Sequence, residues 1–226
     1  MSLLDKLRNG LVVSCQPVDG GPMDTPEIVA AMAKAALAGG AAGLRIEGVG
    51  NLQAVRSIVS VPIIGIVKRD APETPVRITP RVADALELVE AGADIVAFDA
   101  TDRPRQDSRE NVLAAVLRSG ALAMADCATV EDAQFAHAAG VAILGTTLSG
   151  YTKETAGQGE APDLELVRDF STFGSFVMAE GRYITPALAS AAMQAGADCV
   201  TVGSAITRPE HVTGWFCEAL KARDPL

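Results

Sequence analysis

The stretch that decides the fold is Pro80–Ala91 with its continuation, Ala91-Gly92-Ala93-Asp94-Ile95-Val96-Ala97-Phe98-Asp99. A run with helical spacing ends on Ala-Gly, an apolar run of strand length follows at once, and an acidic residue closes it. Glycine in a left-handed cap ends a helix and turns the chain directly into a strand. The same phrase returns as Ala38-Gly39-Gly40-Ala41, Ala139-Gly140-Val141 and Ala195-Gly196-Ala197-Asp198.

Working outward, strand-length apolar runs recur at Leu11–Cys15, Gly43–Ile46, Ile63–Val67, Ile95–Phe98, Leu122–Ala125, Ala142–Leu144, Phe176–Ala179 and Cys199–Val202. Between them Pro26–Ala38, Pro80–Ala91, Ser108–Ser119, Val130–Ala139 and Pro186–Ala195 carry helical spacing, and Pro209–Ala222 reads as a last helix bearing Trp215 and Phe216. Thr25-Pro26, Thr79-Pro80, Thr129 and Thr185-Pro186 offer helix starts. Strand alternating with helix implies a parallel sheet, and about eight repeats favour closure into a (β/α)₈ TIM barrel. An open dinucleotide-binding sheet needs a glycine fingerprint after its first strand, which Gln16-Pro17-Val18-Asp19-Gly20-Gly21 does not supply. No linker or low-complexity tract interrupts the pattern, so residues 1–226 are expected to form one barrel domain. The longest irregular stretches, Arg69–Ile78 and Thr146–Pro162, have the length of lids or substrate loops.

A formal net charge of −9 argues against broad nucleic-acid or anionic-membrane binding. No apolar run has transmembrane length, and Met1–Asn9 lacks a signal-peptide core. The four cysteines form no C-x-x-C pair and read as buried, reduced thiols, which points to the cytoplasm.

Barrel active sites lie at the C-terminal strand ends. Reading the residues there gives Gln16, Arg45 with Glu47, Lys68 with Arg69 and Asp70, Asp99, Asp126, Thr146-Thr147, Glu180-Gly181-Arg182 and Gly203-Ser204, whereas the opposite ends are mainly Ala and Gly. Lys68 could be an exposed strand-end lysine, a partner for a carboxylate, a base, or a charged group stabilising a developing enolate oxygen. As a base it needs its pKa lowered by roughly 3 units. Glu180 could pair with Arg182 or Lys68, or could act as an acid. Gly203-Ser204-Ala205-Ile206-Thr207-Arg208 reads as a glycine turn into a helix start, a place where backbone N–H groups meet an anion; with Gly181 it forms the phosphate arrangement common after strands seven and eight. Arg208 could add a fork of donors there, or lie on the surface. His137 and His211 sit in helical segments, which disfavours metal chemistry, although Asp99 and Asp126 leave a carboxylate-only Mg²⁺ site open. The Glu154–Glu160 stretch reads as a solvated loop.

Gly65-Ile66-Val67-Lys68-Arg69-Asp70, Phe98-Asp99-Ala100-Thr101, Gly145-Thr146-Thr147-Leu148-Ser149-Gly150-Tyr151-Thr152, Ala179-Glu180-Gly181-Arg182 and Val202-Gly203-Ser204-Ala205-Ile206-Thr207-Arg208-Pro209 resemble, in order, the motifs of N-acetylmannosamine-6-phosphate 2-epimerases. Ala71, Arg81 and Ile184 depart from that pattern. The resemblance implies a barrel of the ribulose-phosphate-binding type without metal or organic cofactor. It implies interconversion of N-acetylmannosamine 6-phosphate and N-acetylglucosamine 6-phosphate, and it tilts the expected assembly toward a homodimer. It also implies that Lys68 moves the C2 proton and that Glu180 is the second acid–base group. Gln16, Arg45 and Asp126 would hold the sugar; Gly181, Arg182, Gly203, Ser204 and Arg208 would surround the phosphate. Two other readings remain at this stage: a Schiff-base lyase using Lys68, and a non-catalytic sugar-phosphate binding protein.

Overall fold

The computed structural model describes residues 2–157 and 159–221. Eight parallel strands close into a barrel in chain order: β1 Gly10–Cys15, β2 Gly43–Glu47, β3 Ile63–Ile66, β4 Ile95–Asp99, β5 Leu122–Asp126, β6 Ile143–Gly145, β7 Phe176–Glu180 and β8 Cys199–Val202. β8 returns to β1 with Leu11 opposite Val200. The helices are α1 Leu3–Leu7, α2 Pro26–Ala38, α3 Val49–Arg56, α4 Val82–Glu90, α5 Arg109–Ser119, α6 Val130–Ala138, α7 Leu164–Ser171, α8 Pro186–Gln194, α9 Ser204–Thr207 and α10 Pro209–Lys221. The expected end of the last helix, Ala222, lies outside the described residues.

Strand alternation sorts the core into two bodies. Leu44, Ile46, Val96, Phe98, Val177 and Val200 face outward into the layer under the helices. Val12, Ile64, Ile66, Ile95, Met178 and Cys199 fill the barrel interior. Successive strand side chains point to opposite faces, so continuing the inner set upward brings Ser14, Arg45, Lys68, Asp99, Asp126 and Glu180 to the inner face at the C-terminal mouth. The barrel is thus apolar below and ionisable above.

The Ala-Gly phrase works as expected: Gly40, Gly92, Gly140 and Gly196 have φ of +98°, +99°, +78° and +109°, a region that other residues enter only at a cost. Thr25, Ser108, Thr129 and Thr185 cap α2, α5, α6 and α8 through their hydroxyls. Thr79 does not cap its helix. It is held at φ +44° with its hydroxyl donating to the Ala97 carbonyl, and α4 starts three residues later, at Val82 after Arg81. Strands β2, β4, β5 and β7 each run one residue further than the apolar pattern, onto Glu47, Asp99, Asp126 and Glu180. The expectation of buried thiols holds for Cys15, Cys127 and Cys199 but not for Cys217, which is exposed on α10. That helix buries none of its residues, and Phe216 and Leu220 stand open at 69% and 76% exposure. Among the described residues no helix is long and apolar enough to cross a membrane.

Candidate active site

A cavity of about 780 Å³ opens over the strand ends from β6 round to β1, with Lys68 reaching it from β3. Lys68 and Glu180 both line it, from strands four places apart in an eight-strand ring and therefore across the barrel from each other. Gln16 lines it from the end of β1, where its amide donates to Ser14 Oγ at 2.5 Å. Gly181 and Arg182 contribute from β7, and Gly203, Ser204 and Arg208 from β8.

Arg45 and Asp126 take a different place. They are 1% and 0% exposed, and they form a floor beneath Glu180 rather than part of the cavity wall. Arg45 Nη2 donates to Asp126 Oδ2 at 2.6 Å; Arg45 Nη1 donates to Asp126 Oδ1 at 3.1 Å and to Glu180 Oε2 at 2.7 Å. Glu180 therefore pairs with Arg45, not with Arg182 or Lys68 as its sequence position suggested. Arginine suits the post, because its planar fork meets two carboxyl groups at once and it does not lose its proton. Burial works against the Arg45 charge, but Asp126 and Glu180 outweigh it and hold its pKa above the ordinary value.

The two groups facing the cavity are displaced toward each other in proton affinity. Burial, helped by the positive charges of Arg208 and Arg45, lowers the pKa of Lys68; Glu47 and Asp19 oppose the shift. Burial raises that of Glu180 to about 7 against the pull of Arg45, with Asp126 adding to the rise. Glu47, whose carboxylate receives the Lys68 backbone N–H at 3.2 Å, is raised as well, chiefly by burial. Lys68 makes no ion pair within 4.0 Å among the described residues. Glu180 Oε1 likewise keeps no protein partner there, while Oε2 is held from below.

At the other side of the cavity the amides of Gly181 and Gly203 donate to no carbonyl among the described residues. Arg208 spends Nε on the Gln16 carbonyl at 2.7 Å and leaves its two Nη groups without a protein partner there. Arg182 is more committed. Its Nε donates to the Ala161 carbonyl at 2.8 Å and its Nη1 to the Ser149 carbonyl at 2.9 Å, so it ties down the loop after β6 while bordering the cavity. Gly150, at φ +82°, is pressed against that guanidinium, and any Cβ there would overlap it.

The carboxylate pair considered for Mg²⁺ is occupied by cations: Arg103 and Arg105 bind Asp99, and Arg45 binds Asp126. His137 lies on the outer surface against Ser175 and Phe173. His211, by contrast, borders the cavity with Trp215, because α10 starts across the mouth. No strand-end reading could find these two. Gly159 and Glu160, from the stretch expected to be a solvated loop, also border the cavity; Gln158 of that stretch lies outside the described residues. Ser14 and Thr201 were missed for another reason: they lie inside apolar runs, and only counting alternate residues shows that they face inward.

Fold and site together define a (β/α)₈ barrel with a lysine and a carboxyl group suited to proton transfer at its mouth. Residues 29–222 match the family described as "Putative N-acetylmannosamine-6-phosphate epimerase". Among curated relatives, one from Pasteurella multocida is 56% identical over 97% of this chain and 96% of its own length. One from Edwardsiella ictaluri is 59% identical over 95% and 91%. Both carry the name "Putative N-acetylmannosamine-6-phosphate 2-epimerase". The solved structure of the N-acetylmannosamine-6-phosphate 2-epimerase from Clostridium perfringens superposes with a TM-score of 0.93 at 35% identity, covering 97% of this chain and 96% of that one. A thiamine phosphate pyrophosphorylase from Pyrococcus furiosus, at 20% identity and TM-score 0.61, shares the barrel alone. The chain belongs to the N-acetylmannosamine-6-phosphate epimerase family.

Proposed function

We propose that this chain interconverts N-acetylmannosamine 6-phosphate and N-acetylglucosamine 6-phosphate by opening the sugar ring and moving the C2 proton through an enolate. The observation that carries this reading is the opposition of Lys68 and Glu180 across one cavity, the first lowered in pKa and the second raised to about 7. In the ring form C1 is a hemiacetal and does not acidify C2. Glu180 Oε1 gives its proton to the ring oxygen while solvent water in the open cavity takes the proton of the C1 hydroxyl, and the aldehyde forms. Neutral Lys68 then takes the C2 proton, the electron pair delocalises onto the aldehyde oxygen, and a proton from solvent is delivered to the other face. Lys68 gives its proton up to solvent, and ring closure by the reverse of the first step returns the proton to Glu180 and yields the epimer. With Lys68 lowered and Glu180 raised to about 7, both shifts favour the arrangement with neutral amine and protonated carboxyl. Positioned acid–base groups of this kind contribute about 10²–10⁴-fold each.

The phosphate sits against the amides of Gly181 and Gly203 with Ser204, and against the open Nη groups of Arg208. Arg182 supports this end mainly by fixing the loop after β6. Gln16 holds the sugar, and Arg45 and Asp126 act on it through Glu180. Residues 1–226 work as one unit in the cytoplasm, in keeping with its free thiols. A second copy of the chain covers the apolar side of α10, since Phe216 and Leu220 stand open among the described residues.

Incubation of N-acetylmannosamine 6-phosphate with the protein in D₂O and EDTA, followed by ¹H NMR, tests the reading. Conversion to the gluco epimer with loss of the C2–H signal is expected. Binding without exchange would reduce the protein to a sugar-phosphate binder, and a stable adduct on Lys68 after borohydride would favour the lyase.

A further inference from the structure

Thr147 lines the cavity two residues beyond β6, and its hydroxyl lies 2.6 Å from Asp126 Oδ1 and 3.4 Å from Glu180 Oε2. Arg45 Nη1 spans the same two oxygens at 3.1 and 2.7 Å. Two carboxyl oxygens, one on β5 and one on β7, are thus bridged twice, by a guanidinium N–H and by a hydroxyl. The guanidinium bridge is fixed, because Arg45 keeps its protons and is fully enclosed. The hydroxyl bridge is not: a threonine O–H has one proton to donate, can rotate, and has lone pairs left to accept.

The contact exists because β6 ends on a residue with no side chain. A Cβ on Gly145 would lie 3.1 Å from Thr147 Oγ1, 3.3 Å from Asp126 Oδ1 and 2.6 Å from Met124 Cε. Gly145 faces the barrel interior in the register that pairs it with Asp126 and Met178. Its bareness makes room for the hydroxyl and the carboxylate to meet.

We propose that Thr147 is a positioning residue that lets Glu180 exist as carboxyl and as carboxylate without moving. While Glu180 is protonated, the Thr147 hydroxyl donates to Asp126 Oδ1. When Glu180 has given up its proton, the hydroxyl turns and donates to Glu180 Oε2. The groups facing Glu180 are Arg45 from β2, Lys68 from the end of β3, Asp126 from β5 and Thr147 itself. Of these, Thr147 alone can redirect a hydrogen bond between the two carboxyl groups by rotation of a single bond. Oε2 is occupied from below in both states, so the proton that Glu180 gains and loses resides on Oε1, toward the cavity. This role rests on the acid–base function proposed for Glu180.

The test compares Thr147→Val, which keeps the shape and removes the hydroxyl, with Thr147→Ser, which keeps the hydroxyl. Losing a donor to the carboxylate raises the pKa of Glu180. The valine variant is therefore expected to move the acid limb of the kcat profile to higher pH by about one pH unit. Its kcat should fall roughly 10-fold and its KM should stay within about threefold, while the serine variant stays near wild type. Titration of the Glu180 carboxyl by ¹³C NMR, without substrate, reads the same shift independently of turnover. A wild-type protein that does not epimerise would thus remove the proposed function while leaving this test in force. Should the valine variant not fold, Thr147→Ala against Thr147→Ser makes the same comparison. An unmoved Glu180 titration in the variant lacking the hydroxyl would overturn the proposal, as would equal impairment of the variants with and without it.

Discussion

Arg45 Nη1 stands 2.7 Å from Glu180 Oε2 while the same guanidinium clamps Asp126, so one buried cation holds the two carboxyl groups together. Removing one member of a buried ion cluster costs more than the cluster contributes, because the remaining charges lose their compensation. Arg45→Met would leave Asp126 and Glu180 facing each other in a dry site. We expect it to destabilise the protein by about 3–5 kcal/mol in denaturant unfolding at pH 7.5. Adding Asp126→Asn to that variant should recover part of the loss, and equal stability of the single and double variants would contradict this.

The pH dependence of turnover follows from the opposed shifts. In the mechanism proposed above, the competent form holds one proton over the Lys68–Glu180 pair. Below about pH 7 Glu180 takes a proton while Lys68 keeps its own, and kcat should fall. At high pH the last proton is lost, at a pH below the ordinary lysine value near 10.4 because Lys68 is lowered. A flat profile between pH 5 and 8 would remove Glu180 from the rate.

Stability should carry the same signature. Folding raises the carboxyl pKa of Glu180 from 4.5 to about 7. Its contribution is therefore fully present below the unfolded value and is lost as pH rises through 7. Glu180→Gln does not titrate and leaves the Arg45–Asp126 pair intact. Its stability relative to wild type should grow between pH 5 and pH 8, by about 2–3 kcal/mol for a fully realised shift. Parallel stability curves for the two proteins would show that Glu180 is not held as described.

The uncovered face of α10 predicts assembly. Light scattering at micromolar concentration should give twice the monomer mass, and Phe216→Glu with Leu220→Glu should return it to the monomer. A monomeric wild type would leave those side chains without the partner inferred for them.

The barrel could be read from the sequence because its rule is local. Each Ala-Gly phrase ends a helix by backbone conformation, and each apolar run is buried on both faces, so period and punctuation needed no long-range information. Lys68 and Glu180 could be found in the same way, since a strand end fixes where a side chain goes. Arg45 and Asp126 were found by position, but their depth was not: only the closed ring shows that β2 and β5 face each other beneath Glu180. The helices α3 and α7 are each only eight residues long; Val49–Arg56 has weak apolar periodicity, whereas Leu164–Ser171 does carry it, in the buried Leu166, Val167 and Phe170, but over barely two turns. His211 and Trp215 reach the mouth through the path of α10, which depends on tertiary packing and leaves no periodic trace.

The central claim is that the Lys68 amine removes the proton from C2. It is tested most directly by following that proton in Lys68→Ala, folded as judged by circular dichroism, with N-acetylmannosamine 6-phosphate in D₂O by ¹H NMR. The account predicts that deuterium uptake at C2 and formation of the gluco epimer both fall by at least about 10³-fold. Exchange persisting at the wild-type rate in that variant would contradict it and assign the base to another group.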